Sequence, residues 1–121
     1  MALDARRTAR GGEALGLVVA SEESAGAEDA YSHALVESVR AKVLAGRGDT
    51  DGALRHGRRA VALADTTDFV HLRVHARLAE AEALRAAGAD PRPRVEEAIA
   101  LAEGKGSVAE TRRARGMLAP A

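Results

Sequence analysis

The sequence predicts an all-α domain of antiparallel helix hairpins stacked on one another, and three observations carry that prediction. The segment Arg-Arg-Ala-Val-Ala-Leu-Ala-Asp at 58–65 recurs as Glu-Glu-Ala-Ile-Ala-Leu-Ala-Glu at 96–103, an offset of 38 residues. Periods of that length belong to helical repeats, in which each hairpin buries its apolar face only by stacking on a neighbour. Alanine abounds, Phe69 and Tyr31 are the only Phe and Tyr, and Trp is absent. Helix preference therefore meets little competition from β-branched or aromatic runs. Glycine turns also recur at hairpin spacing, with Gly48 and Gly88 at matching places 40 residues apart.

Taken in order, residues 1–12 show no sustained apolar face and read as a frayed start to a single domain over 13–119. A short helix is predicted over 13–23, with Ala14, Leu17 and Val18 on one face, followed by a turn-forming linker over 24–29. The next helix runs over 30–45, and Tyr31, Ala34, Leu35, Ser38, Ala41, Val43 and Leu44 trace its inward stripe. Gly46 to Gly52 stops it, and Asp49 or Thr50 caps a helix over 51–64. Gly57, in the middle of that helix, costs about 1 kcal/mol against Ala and so marks a close contact.

Asp65 to Asp68 turns the chain into the longest helix, over 69–87, whose buried face holds Leu72, Ala76, Leu78 or Ala79, Ala83 and Ala87. Gly88 ends it, and Pro91 and Pro93 block continuation, with Pro93 suited to the first turn of a helix that reaches Glu103. Val95, Ala98, Ile99, Leu101 and Ala102 form its apolar side. Ser107 and Glu110 then make a capping box for a last helix over 108–118. Val108, Thr111, Ala114, Met117 and Leu118 face inward there, beneath an Arg-rich exterior that suits a terminal cap.

Composition narrows the function. Eighteen basic and eighteen acidic side chains balance, so no net field draws nucleic acid or anionic lipid. Cysteine is absent, which removes disulfide and thiolate chemistry and fits a cytoplasmic setting. The apolar run from Ala14 to Ala20 is too short to span a bilayer, and the residues after Arg6-Arg7 make a poor export signal.

Each chemical motif meets a structural alternative that fits better. His71 and His75 stand at i and i+4, the spacing for a shared metal, but no further ligand accompanies them, so they read as exposed polar histidines. Asp49-Thr-Asp51-Gly52 opens like a calcium loop and then fails the ligand pattern at Ala53. Gly46, Gly48 and Gly52 follow no strand and precede no Lys-Ser/Thr, so they are not a phosphate loop. With no nucleophile–base pair or metal set, the expectation is a protein that is not an enzyme and carries no cofactor and no metal.

The order of helix, glycine turn, Ala-rich helix and second turn resembles the tetratricopeptide repeat. Ala41, Leu44, Gly48, Ala53 and Ala60 fall where that pattern has small, large, Gly, small and small residues. Thr67-Asp-Phe-Val-His-Leu72, the Leu84–Gly88 end, Ala98-Ile-Ala-Leu-Ala102 and Lys105-Gly-Ser-Val108 with Arg113-Ala-Arg115 are similar to the C-terminal repeat segment of large actinobacterial signalling proteins. Those are ATPase-linked transcriptional regulators and nucleotide cyclases. None of their upstream nucleotide-binding or cyclase motifs occurs here. Glu80 departs from the pattern, standing where a large apolar residue is usual, and the helix after Pro93 begins about two residues late.

The resemblance implies a non-catalytic interaction scaffold in a signalling or transcriptional setting, with a regulatory, effector-sensing domain as the alternative. A partner protein or peptide is expected on the concave face made by the first helices, through Tyr31, Leu35, Ser38, Lys42, Arg73, Arg77 and Glu80. Homodimerisation is expected through Leu17 and Val18, and direct contact with nucleic acid or membrane is not. Because Arg58-Arg59 and Glu96-Glu97 occupy the same place in successive copies, stacking is also expected to pair them across units.

Overall fold

A computed structural model describes residues 22–118. Five helices make up that stretch: α1 (Glu22–Arg47), α2 (Thr50–Ala64), α3 (Val70–Ala86), α4 (Arg92–Lys105) and α5 (Val108–Gly116). No strand occurs among the described residues. Of the helix predicted over 13–23, residues 13–21 lie outside them, and so do Leu17 and Val18.

The turns follow from local chemistry. Gly48, Gly88 and Gly106 hold φ of 86°, 78° and 81°, the left-handed region that ends helices at little cost only for glycine. Asp49 caps α2, its carboxylate accepting from the Gly52 N–H at 3.0 Å. Ser107 caps α5, its hydroxyl accepting from the Glu110 N–H at 3.3 Å. Pro93 sits in the first turn of α4, where its missing N–H costs nothing.

One expected break is absent. α1 continues through residues 24–29, the predicted linker. A single glycine, Gly26, interrupts otherwise helix-compatible Ala, Glu and Asp there, and one such residue costs only about 1 kcal/mol.

α3 is the centre of the molecule, packing against α1, α2, α4 and α5. Leu72 and Ala76 on one side join Ala34, Ala60, Val61 and Ala64 in a first core. Val74, Leu78 and Ala81 on another join Val95, Ala98, Ile99, Ala102 and Ala114 in a second. The recurring segment therefore supplies the same three buried positions twice, Ala60, Val61 and Ala64 in α2 and Ala98, Ile99 and Ala102 in α4. Gly57 is the expected close contact, since a Cβ placed on it would lie 3.0 Å from the Glu80 Cα, and α2 approaches α3 closely for that reason.

Four apolar positions predicted to face inward do not. Val43 is 44% exposed, Val108 70% and Leu118 39%, and Ala87 lies exposed just past the end of α3. In α1 the buried side is Ala34, Glu37, Ser38 and Ala41, while Val36 and Val39 join Val43 outside. The small side chains among them let the helices approach closely.

Candidate partner-binding surface

The seven residues predicted on the concave face divide into two groups. Tyr31, Leu35 and Lys42 stand half-buried on one side of α1. Beside them are His71 and His75, one turn apart on α3. The Tyr31 hydroxyl lies 3.2 Å from His71 Nε2, and the Tyr31 ring meets Phe69 edge-on at 5.2 Å and 85°. An edge-to-face pair of this kind adds about 0.5–1.5 kcal/mol beyond its buried area. Phe69 remains 40% exposed, and an open depression of ≈ 360 Å³ lined by Glu28, Tyr31, Ser32 and Phe69 adjoins it.

His75 extends the same surface toward α5. Burial holds its imidazole below the ordinary value of 6.5, and the positive charges of Lys42 and Arg113 push in the same direction, against a smaller opposing pull from Glu110. At neutral pH His75 is therefore an uncharged donor and acceptor set among cations. His71 is exposed and His75 half-buried, so only His71 matches the expectation of an exposed histidine. Among the described residues no group of three His, Cys or acidic side chains is placed to hold a metal ion.

Ser38, Arg73, Arg77 and Glu80 lie elsewhere. Ser38 is fully buried and donates to the Ala34 carbonyl at 2.8 Å, so it faces the chain's own interior. Arg77, its side chain only 12% exposed, grips Asp65 with two 2.8 Å hydrogen bonds and donates through Nε to Glu97 at 2.8 Å. Arg94 donates to the same Glu97 oxygen at 2.8 Å. Arg73 donates to the Thr67 carbonyl and, at 3.4 Å, to the Asp65 carbonyl, and stands 4.0 Å from the Asp65 carboxylate. Glu80 is buried, and its Oε1 lies 3.0 Å from Arg94 Nε but off the N–H line, so that contact is Coulombic and not a hydrogen bond. These charges tie the α2–α3 turn, α3 and α4 together.

The network also explains its own titration. The hydrogen bond from Arg77 holds Asp65 below its ordinary 3.8 although burial opposes it. Burial raises Glu97, but the hydrogen bonds from Arg94 and Arg77 outweigh it and hold the carboxyl below 4.5.

The expected pairing of Arg58-Arg59 with Glu96-Glu97 is not formed. Arg59 lies 3.8 Å from Glu37 of α1, Glu97 pairs within α4 and with α3, and no ion pair among the described residues joins α2 to α4. α3 lies against both second helices, so each reaches the charges of a first helix. Glu37 is itself buried, bonded to His56 Nδ1 and 3.7 Å from Arg40.

A second open groove, of ≈ 450 Å³, runs between the end of α4 and α5 past Ser107, Val108, Thr111 and Arg115. It belongs to the junction of α4 and α5 alone, whereas the Tyr31–His75 surface is formed by α1 and α3 together.

The described chain is thus an all-helical protein whose first helices share a mixed aromatic, apolar and cationic face. No helix among the described residues is long and apolar enough to cross a membrane. Comparison with protein-family models, with curated proteins and with solved structures gives no match for this chain.

Proposed function

We propose that the chain is a non-catalytic, tetratricopeptide-like interaction module that holds a peptide segment on the face shared by α1, α3 and α5. The carrying observation is the alignment of Tyr31, Leu35 and Lys42 on α1 with His71 and His75 on α3. Those side chains offer one aromatic ring, one aliphatic patch, one flexible cation and two imidazoles on adjoining helices. Such a surface suits an extended segment bearing an apolar anchor and a carboxylate, because Tyr and Leu desolvate the anchor while Lys42 and Arg113 attract the charge.

The order of helix contacts supports the tetratricopeptide-like reading. α1 meets α2 and α3, α2 meets α3, α3 meets α4, α4 meets α5, and α3 touches α5. In a stacked array each helix touches its partner in the hairpin and the first helix of the next unit, which matches these contacts. The signalling or transcriptional setting rests on the resemblance of the repeat segment alone.

Selecting peptides from a random display library against the full chain tests this. The expected ligands share an acidic residue near an aromatic or aliphatic one. Tyr31→Ala and His75→Ala each weaken them about tenfold or more, in the range of interface anchors. Ligands that ignore both substitutions and respond instead to Arg58→Ala, on the outer side of α2, overturn the proposal.

A further inference from the structure

The first helices of the two hairpins correspond at an offset of 40 residues, the offset of their left-handed glycines, Gly48 and Gly88. Under it, Ala34, Ser38 and Ala41 of α1 match Val74, Leu78 and Ala81 of α3, and all six are buried. Val36, Val39 and Val43 match Ala76, Ala79 and Ala83. The three alanines are fully buried, with Ala76 in the core shared with α1 and α2, whereas the valines are 44, 55 and 44% exposed. α1 therefore displays, uncovered among the described residues, the face by which α3 docks on the preceding hairpin. Single exposed valines are ordinary, but these three stand in line on one helix side.

What covers the stripe follows from its ends. At 100° per residue, Asp29 and Arg47 both point within about 20° of Val36, one before the valines and one after them. The face thus reads acid, three valines, base. Two copies laid antiparallel set Val36 against Val43 of the second copy and bring each Asp29 within about one turn of Arg47 of the second copy. A parallel pairing sets acid on acid and base on base. Arg40, beside the two-fold axis, lies 3.7 Å from Glu37, whose carboxylate offsets the approach of two arginines.

We propose that Val36, Val39 and Val43, flanked by Asp29 and Arg47, form the interface of a weak antiparallel homodimer. The area is narrow, so association belongs to the low end of protein interfaces. The proposed peptide face is centred about a quarter of a turn round α1 from the valines, so the two readings stand or fall separately.

Sedimentation velocity of the full chain over a wide concentration series is the test. The expected result is a sedimentation coefficient that climbs toward that of a dimer with concentration and falls back in high salt, where exposed charge pairs are screened. Val39→Glu removes the association with an unchanged circular dichroism spectrum and melting point. Asp29→Arg and Arg47→Asp each weaken it roughly fivefold, from two exposed ion pairs per dimer. Combining them restores it, because the charges then meet in exchanged positions. Monomer at every concentration overturns the proposal, as does a dimer indifferent to Val39→Glu or a double variant no better than the single ones. Peptide binding by the Val39→Glu monomer remains as in the parent chain.

Discussion

α1 and α3 hold the same place in successive hairpins, yet they solve packing differently. α3 is enclosed by four other helices, and its docking face carries Ala76, Ala79 and Ala83 beside Leu72. α1 keeps valine at the matching positions and leaves them in solvent. The contrast teaches that matched positions in two alanine-rich helices follow what lies against them: alanine stands where a neighbouring helix packs closely on α3, and valine stands where no described helix covers α1.

That comparison can be broken most sharply at Leu72, the large fully buried side chain by which α3 enters the first core. Leu72→Ala is expected to cost about 2–5 kcal/mol in urea unfolding, as buried leucines do. Gly57→Val comes next. Its Cβ would meet the Glu80 backbone at 3.0 Å, and overpacking of that kind costs about 1–3 kcal/mol. A Gly57→Val protein as stable as the parent would mean that α2 and α3 are not held so close.

Arg77→Met tests the charge network, with an expected loss of about 1 kcal/mol at neutral pH, small because Asp65 and Glu97 are 41% and 47% exposed. The acid limb is more telling. Asp65 and Glu97 have folded values below their ordinary 3.8 and 4.5, so the unfolded chain binds protons first as pH falls. Their stabilisation is full above those ordinary values and is lost as pH drops through the lower, folded ones. Urea midpoints across that window should fall less steeply in Arg77→Met than in the parent chain.

His75 gives a separate, smaller signature. Its folded value lies below 6.5, so protonation favours the unfolded chain. Its contribution is whole above 6.5 and shrinks as pH falls toward the folded value. His75→Gln should flatten that part of the stability curve, and a slope unchanged by the substitution would contradict the burial described for His75. Smallest of all, Val39→Ala should change stability by no more than about 0.5 kcal/mol, since its side chain is largely in water.

Much of the fold was legible because its signals are local. Gly48, Gly88, Ser107 and Pro93 place helix ends through backbone geometry and capping that need no tertiary information, and the twin segment marks the buried seam of α2 and α4. The continuity of α1 through Gly26 was not legible, because turn-forming composition and helix preference differ there by little. The surface was harder. Tyr31 and Leu35, both on the predicted inward stripe of α1, are half-buried. Arg77 and Glu80 were placed on the same face and in fact turn toward Asp65, Glu97 and Arg94. Their direction depends on how α4 and the α2–α3 turn lie against α3, which periodicity on one helix does not contain. His71 and His75 were weighed as metal ligands or exposed side chains, and their nearness to Tyr31 and Lys42 follows only from the stacking of α1 on α3. The 40-residue offset between Gly48 and Gly88, applied to Tyr31 and Leu35, was the signal in the sequence that pointed to them.

The central claim, that successive first helices share one binding face, is tested most directly by an amide ¹H–¹⁵N NMR titration of the full chain with a selected peptide. Shifts concentrated at Tyr31, Leu35, Lys42, His71 and His75 are the predicted result. Shifts confined to Arg58, Arg59 and Glu96 on the second helices would contradict it.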